Sequence, residues 1–296
     1  MDKKDTLTNE RADTALVTEN ETPYIRAATS DNTRAAYQSD IRHFLAQGRV
    51  MPATPEYIVA YLQQCAMGLN PRTLKRRLSA LRQWHQLRGH PDPTDNPAVR
   101  KTMRGIARLH GRPRKQARAM RLGDMEQAVR YLDQHRTLHT IRNKALVLIG
   151  FFGAFRRSEL VSHHWEQIHF VREGMIIILD RSKTDQTGEG QSCPIPFGPD
   201  PCCPVRALLA WREASGCHEG PIYRRMSKSG KILSQAISAS HWNRLLKDIV
   251  QAADLPAAQT ISSHSLRRGS TTEAANRGAS LTALKRHGRW RSTRTV

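Results

Sequence analysis

The chain of 296 residues is long enough for two domains that each bury a hydrophobic core. It carries 47 Lys and Arg against 26 Asp and Glu, a formal net charge of +21 that is typical of proteins with an extended polyanion as partner. An anionic membrane is disfavoured because the sequence has no long apolar run, no signal-peptide core and no single basic amphipathic helix. We therefore expect a soluble, cytoplasmic protein.

The five cysteines are scattered along the chain and form no pattern of paired zinc ligands. The nearest approach to such a pattern is Cys217-His218, close in sequence to Cys202-Cys203, but this stretch is proline-rich and lacks a repeated spacing. The sequence predicts reduced thiols and no metal or other cofactor.

The N-terminal part of the chain divides into a polar arm and a helical block. Residues 1–28 lack apolar periodicity and are predicted to be disordered. Residues 29–110 are predicted to form an all-helical bundle, in which Ser30 or Asp31 caps the first helix. Two further helices are predicted to begin at Thr54-Pro55 and Asn70-Pro71, each with a capping side chain followed by a proline in the first turn.

The helix that follows Asn70 has a leucine stripe (Leu74, Leu78, Leu81 and Leu87) beside a strongly basic remainder. No acidic residue occurs between Arg72 and Arg88, whereas ordinary solvated helix faces mix both signs of charge. This pattern favours contact with DNA phosphates or the major groove over a merely solvated face. The predicted DNA-binding residues of this helix are Arg72, Lys75, Arg76, Arg77 and Arg82.

Residues 111–121 are predicted to form a basic linker, because Gly111 and Pro113 interrupt helix formation within a dense run of positive charge. Such a run would repel itself unless neutralised, so we expect it to follow a nucleic-acid backbone. The predicted DNA-binding residues here are Arg112, Arg114 and Lys115.

The second block, residues 122–296, contains an apolar helix, a break at Gly153 and a second helix that opens near Ser158. Arg156 follows the apolar helix directly, so its partly buried charge needs an anionic partner, for which a phosphate is one candidate. Residues 175–179 and 191–196 are predicted to form a β-hairpin whose polar turn carries Lys183, a residue that would read as plain surface charge if it stood alone.

A third helix of this block carries His264 and Arg267, three residues apart and therefore on one face, where they could contact one phosphate together. Gly278 is predicted to end this helix in the left-handed conformation. Ser280 is predicted to begin a short helix that carries Trp290.

The order of these features resembles the catalytic domain of the tyrosine recombinase (phage integrase) family, in the form that has Trp at the last position. The matching motifs are R-R-S-E-L after an apolar helix, a lysine in a β-hairpin, H-S-L-R, and G-R-W near the C-terminus. The sequence N-T-R-A-A-Y-Q-S-D-I-R-H-F-L-A-Q likewise resembles the helical core-binding domain of that family. The resemblance implies a mainly α fold with a small β-sheet or hairpin, in which a helical SAM-like core-binding domain and an α+β catalytic domain clamp double-stranded DNA.

The resemblance also implies roles for the motif residues. Arg156 and Arg267 would grip the scissile phosphate, Lys183 would protonate the departing 5′ oxygen, and His264 would assist proton transfer. Trp290 would donate its indole N–H to a phosphate oxygen, and Glu159 would support the cluster. From the residues alone, Glu159 could be a favourable first-turn acid and Trp290 a core residue, and the arginines that adjoin Arg156 and Arg267 leave a one-position ambiguity.

The family nucleophile is a tyrosine nine residues after the Trp position, which corresponds to position 299, three residues beyond Val296. Tyr223 precedes H-S-L-R and cannot match that position, so we expect it to be structural. The sequence as given is therefore expected to bind DNA without cleaving it, and tetramer assembly through a C-terminal docking segment is in question. The function expected of the family is site-specific recombination through a 3′-phosphotyrosyl intermediate; a DNA-binding remnant and a type IB topoisomerase are the alternatives.

Overall fold

The chain divides into two compact units, residues 1–114 and residues 115–296. The computed structural model describes residues 23–113, 116–179, 190–227, 229–290 and 292. The division falls within the segment 111–121 that the sequence predicts as a linker.

Helices are the regular secondary structure of the first unit among its described residues, and no strand occurs there, as the sequence predicts. Its helices are α1 (Pro23–Ala27), α2 (Asp31–Ala46), α3 (Pro55–Cys65), α4 (Pro71–Leu87) and α5 (Pro97–His110), with a short 3-10 turn at Pro93–Asp95. The core side chains Phe44, Ile58, Leu62 and Leu74 are fully buried between α2, α3 and α4. Burial of such apolar side chains stabilises the bundle by roughly 1.5–3 kcal/mol for each one.

The helix starts of this unit follow the predicted capping residues. Ser30, Thr54 and Asn70 each accept a hydrogen bond from a backbone N–H in the first turn of the helix that follows. The predicted arm of residues 1–28 extends too far, because α1 lies within it at Pro23–Ala27. Residues 1–22 of that arm lie outside the described residues.

Arg77 corrects the expectation of a uniformly exposed basic face on α4. Its side chain is only 10% exposed, and its Nε lies 3.5 Å from the buried carboxylate of Asp40. Its Nη1 donates to the hydroxyl of Tyr61 at 2.7 Å and lies 2.8 Å from Nδ1 of His43. The acid that pairs with Arg77 comes from α2, so the absence of acids within α4 itself did not mean an absence of acidic partners.

The second unit combines helices with two small sheets. Its helices are α6 (Leu122–Gln134), α7 (Leu138–Phe152), α8 (Arg157–Val161), α9 (Pro204–Ser215), α10 (Ala239–Ala252), α11 (Ser263–Asn276) and α12 (Leu281–Gly288), with 3-10 turns at Trp165–Gln167 and Ala258–Thr260. The apolar helix α7 is buried along most of its length and packs against α6, α9 and α11. This central position explains why the second half of the helix, residues 145–152, is apolar on all sides.

The predicted hairpin is confirmed and belongs to a three-stranded antiparallel sheet. The strands are β1 (Ile168–Val171), β2 (Gly174–Leu179) and β3 (Gln191–Pro196), in the order β1-β2-β3. Leu179 pairs with Gln191 at the end of the hairpin where the strands are connected through the segment 180–189, which contains Lys183 and lies outside the described residues. A second antiparallel pair joins β4 (Arg224–Met226) to β5 (Ile232–Ala236); these two strands and β1 were not predicted from the sequence.

Residues 116–121 belong to the second unit and pack against its helices. The backbone N–H of Met120 donates to the Ser265 carbonyl on α11 at 3.0 Å, and Met120 is fully buried. Arg118 pairs with Asp124 at 3.0 Å, so the charge of this part of the predicted linker is neutralised within the protein. This segment therefore reaches the helix that carries His264 and Arg267.

Candidate anion-binding site

One wall of the site is the turn between α7 and α8. Gly153 caps α7, and Ala154 follows with a positive φ of 47°, a conformation that turns its carbonyl oxygen inward. Arg156 then precedes α8. Its backbone N–H donates to Glu159 at 2.9 Å, and its guanidinium forms an ion pair with the same carboxylate at 2.5 Å. The anionic partner that the sequence required for Arg156 is therefore supplied within the protein by Glu159.

The opposite wall is the end of α12. Arg289 adopts the left-handed conformation with φ of 54°, which ends the helix and directs the carbonyls of Gly288 and Arg289 toward the first turn. Nη2 of Arg156 donates to the Arg289 carbonyl at 3.2 Å. Trp290 follows this turn directly, so it lies just beyond the predicted short helix rather than on it.

Arg267 connects the two walls from the first half of α11. Its Nη1 donates to the Ala154 carbonyl at 2.9 Å, and its Nη2 donates to the Gly288 carbonyl. The indole ring of Trp290 lies over this guanidinium, with 4.3 Å between the ring centroid and Cζ. Arg156, Glu159, Arg267 and Trp290 are thus brought together, although they come from three separate parts of the sequence.

The electrostatics of the cluster are unbalanced. Arg156, Arg267 and Arg289 contribute three guanidinium groups, and the carboxylate of Glu159 pairs with two of them. Burial lowers the pKa of Arg267 to about 9, and the neighbouring charges of Arg156 and Arg289 act in the same direction. Burial alone would raise the pKa of Glu159, but hydrogen bonds from Arg156 and the nearby guanidinium charges lower it overall. At neutral pH the cluster has an excess of positive charge that a bound oxyanion would offset.

An open groove of about 470 Å³ lies next to this cluster. Its lining residues are Gln191, Ser192, Thr282, Lys285, Arg286, Arg289 and Trp290. The charged side chains of this lining are all cationic, so the groove extends the positive potential of the site. Its β3 residues follow closely on the segment that contains Lys183.

The structure separates the predicted arginines from their neighbours. Arg156 points into the cluster, whereas Arg157 is exposed. Arg267 is 2% exposed, whereas Arg268 donates to the Ala117 carbonyl of the segment that precedes α6. The one-position ambiguity of the sequence is thus decided in favour of Arg156 and Arg267 as members of the cluster.

Two further residues of the predicted site are His264 and Lys183. His264 is exposed near the start of α11, in contrast to the buried Arg267. Lys183 lies outside the described residues. Their parts in the site remain predictions. Tyr223 is fully buried and burial raises the pKa of its hydroxyl, which agrees with the structural role expected of it.

Sequence reasoning missed Arg289 and His287. Arg289 stands between Gly288 and Trp290 and is buried, and Nε2 of His287 lies 2.7 Å from the Phe152 carbonyl. An arginine directly after a helix-ending glycine normally indicates an exposed helix end, so periodicity offered no signal for its burial. The one available signal was its place inside the G-R-W motif.

The first unit carries a second basic surface. Of the predicted DNA-binding residues, those that are exposed are Arg72, Lys75, Arg76, Arg82 and Arg112, while Arg114 and Lys115 lie outside the described residues. A groove of about 570 Å³ between α4 and α5 is lined in part by Lys75, Arg82, Arg100 and Arg104. The sequence analysis did not identify Arg100 and Arg104 on α5, although both are exposed cations.

All five cysteines are unbridged. Among the described residues, no group of three or more His, Cys, Asp or Glu side chains could hold a metal ion. The same part of the chain contains no helix long and apolar enough to cross a lipid bilayer.

Comparison with known proteins places this arrangement in a family. Residues 119–296 match the phage integrase family, and residues 24–88 match the phage integrase N-terminal SAM-like domain. The chain belongs to the phage integrase family. The chain is also 31% identical over 281 residues to an integrase/recombinase xerD homolog of Selenomonas ruminantium, a match that covers 92% of this chain and 82% of that protein. The predicted family is confirmed.

Solved structures of a site-specific recombinase and of an integrase have the same fold. The XerH site-specific recombinase bound to its difH substrate matches with a TM-score of 0.63 and 15% identity, over 89% of this chain and 74% of that one. A lambda integrase dimer bound to a core site matches with a TM-score of 0.61 and 14% identity, over 90% and 91% of the two chains. At these identities the likeness concerns the fold, and it confirms the predicted mainly helical fold with a small β-sheet and a SAM-like N-terminal domain.

Proposed function

We propose that this protein binds double-stranded DNA and belongs to a site-specific recombination reaction that proceeds through a 3′-phosphotyrosyl intermediate. The observation that carries the proposal is the cluster of Arg156, Arg267 and Glu159 beneath Trp290. Two guanidinium groups lie there, the indole ring covers one of them, and guanidinium donors fit the non-bridging oxygens of one phosphodiester.

The proposed chemistry is a phosphoryl transfer without net loss of a phosphodiester bond. A tyrosine oxygen attacks the phosphorus as its proton passes to His264, the bond to the 5′ oxygen breaks, and Lys183 gives a proton to that leaving oxygen. Arg156 and Arg267 stabilise the charge that builds on the non-bridging oxygens in the pentacoordinate transition state. The covalent intermediate conserves the energy of the broken bond, so a DNA 5′ hydroxyl can later reverse the step on a new partner strand.

Duplex binding would involve both units. Exposed cations on α4 and α5, including Lys75, Arg100 and Arg104, form a basic surface on the first unit. On the second unit, Lys285 and Arg286 line the groove beside Trp290. Each phosphate that such cations neutralise releases counterions, so the affinity for DNA should fall steeply as salt increases. Self-association on DNA is part of the proposal only as an expectation for the family.

The test of the proposal compares binding and cleavage in matched variants. Because position 299 lies beyond the 296 residues, the cleavage assay uses the chain extended through that position with a tyrosine there. Arg156→Ala and Arg267→Lys should slow formation of the covalent DNA adduct by at least about 100-fold, as for loss of one transition-state donor, while duplex affinity changes little. Arg157→Ala, which removes the exposed neighbour, is the control and should cleave normally apart from any loss of affinity.

Two results would contradict the proposal. Equal loss of duplex binding and of cleavage in Arg156→Ala and Arg267→Lys would mean that both arginines are structural. Relaxation of supercoiled DNA by the extended protein without preference for sequence, and without strand exchange between two duplexes, would instead favour a type IB topoisomerase activity.

A further inference from the structure

We propose that Arg289 is a positioning residue that holds the two phosphate-binding arginines in place, an inference that rests on the proposed function. The donors of Arg289 are directed to oxygen atoms of the protein itself. Arg289 acts on Arg156 and Arg267 through the backbone carbonyls and the carboxylate to which those two arginines are themselves bound.

The surroundings of Arg289 keep it away from solvent. Its side chain is 3% exposed, and its guanidinium lies over the ring of Phe155 with 4.6 Å between Cζ and the ring centroid. Its Nη2 donates to the carbonyls of Gly153 and Ala154 at 3.0 and 3.1 Å, and its Nη1 donates to the His287 carbonyl at 2.8 Å. A guanidinium used in this way stabilises protein carbonyls, although Arg289 also borders the groove.

The contacts of Arg289 close a bridge between the two turns of the site. Its side chain binds the turn at Gly153 and Ala154, while its own carbonyl accepts a hydrogen bond from Arg156. Arg267 spans the same gap, since it donates to the Ala154 and Gly288 carbonyls. Two turns with left-handed residues, at Ala154 and Arg289, are thus tied together by three guanidinium groups. Any change in the separation of these turns would move both Arg156 and Arg267.

Glu159 provides the second connection. Its Oε1 pairs with Arg156 at 2.5 Å, and its Oε2 lies 3.5 Å from Nη2 of Arg289. The carboxylate is therefore fixed from both sides and cannot turn away from Arg156 while Arg289 remains in place. This explains how one buried acid can orient an arginine that must stay available to an anion.

The geometry requires an arginine rather than any cation. The planar guanidinium of Arg289 reaches carbonyls on two separate segments and a carboxylate at the same time, with donors in fixed directions. A lysine ammonium keeps the charge but concentrates its donors on one atom at the end of a flexible chain. It could satisfy one or two of these oxygens without holding the turns at their present distance.

The experiment measures the affinity of the chain for inorganic phosphate by isothermal titration calorimetry. Variants Arg289→Lys and Arg289→Gln should bind phosphate at least about tenfold more weakly than the wild-type chain, with folding verified by circular dichroism at the assay temperature. Arg142→Lys is the matched control. Arg142 is another buried arginine of the same unit, and it donates hydrogen bonds to the Asn143 side chain and the Arg224 carbonyl. Its replacement should lower stability without changing phosphate affinity.

A double-mutant cycle tests whether Arg289 acts on phosphate binding through Arg267. In a chain that already carries Arg267→Lys, the further change Arg289→Lys should cost little additional phosphate affinity, because the group that it positions is already altered. Full additivity of the two losses would overturn the inference, since it would mean that the two arginines act independently. Wild-type affinity in Arg289→Lys would also overturn it, because charge alone would then suffice.

The remaining outcomes separate the inference from the proposed function. Unchanged phosphate affinity in both Arg156→Ala and Arg267→Lys would show that the cluster is not a phosphate site, and both proposals would fail. Weaker binding in those two variants with wild-type affinity in both Arg289 variants would overturn the positioning inference alone. Failure of both Arg289 variants to fold would assign Arg289 a purely structural role and would likewise overturn it.

Discussion

The indole ring of Trp290 covers the guanidinium of Arg267, with 4.3 Å between the ring centroid and Cζ. The aromatic residue of the G-R-W motif is thus in direct contact with the arginine of the H-S-L-R motif. This contact joins an aromatic face to a cation that burial has already separated from water. A cation–π contact of this kind contributes about 0.5–2 kcal/mol, with the larger values for desolvated pairs. Trp290 therefore covers Arg267, and in the proposed function its indole N–H also donates to a phosphate oxygen.

Replacement of Trp290 by phenylalanine and by alanine should separate these functions. Trp290→Phe keeps an aromatic face over Arg267 and removes the N–H, so phosphate affinity should fall while the urea midpoint of the second unit changes little. Trp290→Ala removes both the ring and the N–H. Its urea midpoint should therefore fall as well, which corresponds to a loss of about 0.5–2 kcal/mol in unfolding free energy. Urea unfolding and phosphate titration of the same samples test this. Equal stability of the two variants would show that the ring contact contributes nothing.

The sequence was sufficient for features that depend on neighbouring residues. Ser30, Thr54 and Asn70 were found as helix caps because the capping interaction spans only three residues. The β2–β3 hairpin was found because its strands have β-branched residues and a polar turn between them. Arg156 and Arg267 were placed in one site by their resemblance to family motifs.

Features that depend on distant partners were not accessible in this way. The burial of Arg77 depends on Asp40, which lies on another helix and 37 residues earlier in the chain. The burial of Arg289 depends on carbonyls of Gly153 and Ala154, to which no sequence pattern connects it. Strands β4 and β5 are short, with few apolar residues, and their pairing is irregular near Arg224, so they lack the alternation that predicts a strand.

Arg77 and Lys75 lie two residues apart on α4. Replacement of Arg77 should change the stability of the protein, whereas replacement of Lys75 should change its binding to DNA. Arg77→Met removes a buried cation that donates to Tyr61, while Arg76 still pairs with Asp40 at 2.8 Å, so the free energy of unfolding should fall by about 1–3 kcal/mol. Lys75→Ala removes an exposed cation, so stability should change by less than about 0.5 kcal/mol. If Lys75 binds a phosphate, the slope of log affinity for DNA against log salt should become shallower by about 0.9.

Urea unfolding and fluorescence anisotropy with labelled duplex DNA at several salt concentrations measure both quantities. A normal stability of Arg77→Met together with a shallower salt slope would restore Arg77 to the DNA-contacting face. An unchanged slope in Lys75→Ala would remove Lys75 from the proposed interface.

His163 should make the second unit less stable in mildly acidic solution. Burial lowers the pKa of His163 to about 3, and the charge of Arg289 acts in the same direction, whereas an unfolded histidine titrates near 6.5. Between these values the unfolded chain binds the proton and the folded chain does not, so this contribution is lost as pH falls below 6.5. At one pH unit below that value the loss is about 1.4 kcal/mol.

The variant His163→Phe should remove this contribution, and its stability should decline less than that of the wild-type chain between pH 7.5 and pH 5.5. Neither ring nitrogen of His163 has a hydrogen-bond partner among the described residues, so loss of the imidazole should itself cost little. His85→Phe is the contrasting control, because that buried ring accepts from the Ala53 N–H at 2.9 Å and its other nitrogen lies 2.7 Å from the Leu81 carbonyl. Parallel pH dependence in the wild-type chain and His163→Phe would show that His163 does not titrate as expected.

Gly269 should be intolerant of alanine, because α11 lies directly against the segment that precedes α6. A β-carbon at this position would lie 1.7 Å from the carbonyl oxygen of Met120 and 2.7 Å from its carbonyl carbon. Both are backbone atoms, so the segment or the helix must shift, and overpacking of this kind costs roughly 1–3 kcal/mol or more. Since Arg267 lies two residues away on the same helix, the shift should also weaken phosphate binding.

Gly105→Ala is the matched control on α5. No atom lies within 4 Å of a β-carbon built there, and the residue is in a helix interior, so alanine should stabilise the first unit by about 0.5–1 kcal/mol. Urea unfolding and phosphate titration of Gly269→Ala, Gly105→Ala and the wild-type chain provide the comparison. A Gly269→Ala variant with wild-type stability would mean that the contact between Met120 and α11 is loose, and the segment 116–121 would then have no fixed connection to the helix that carries Arg267.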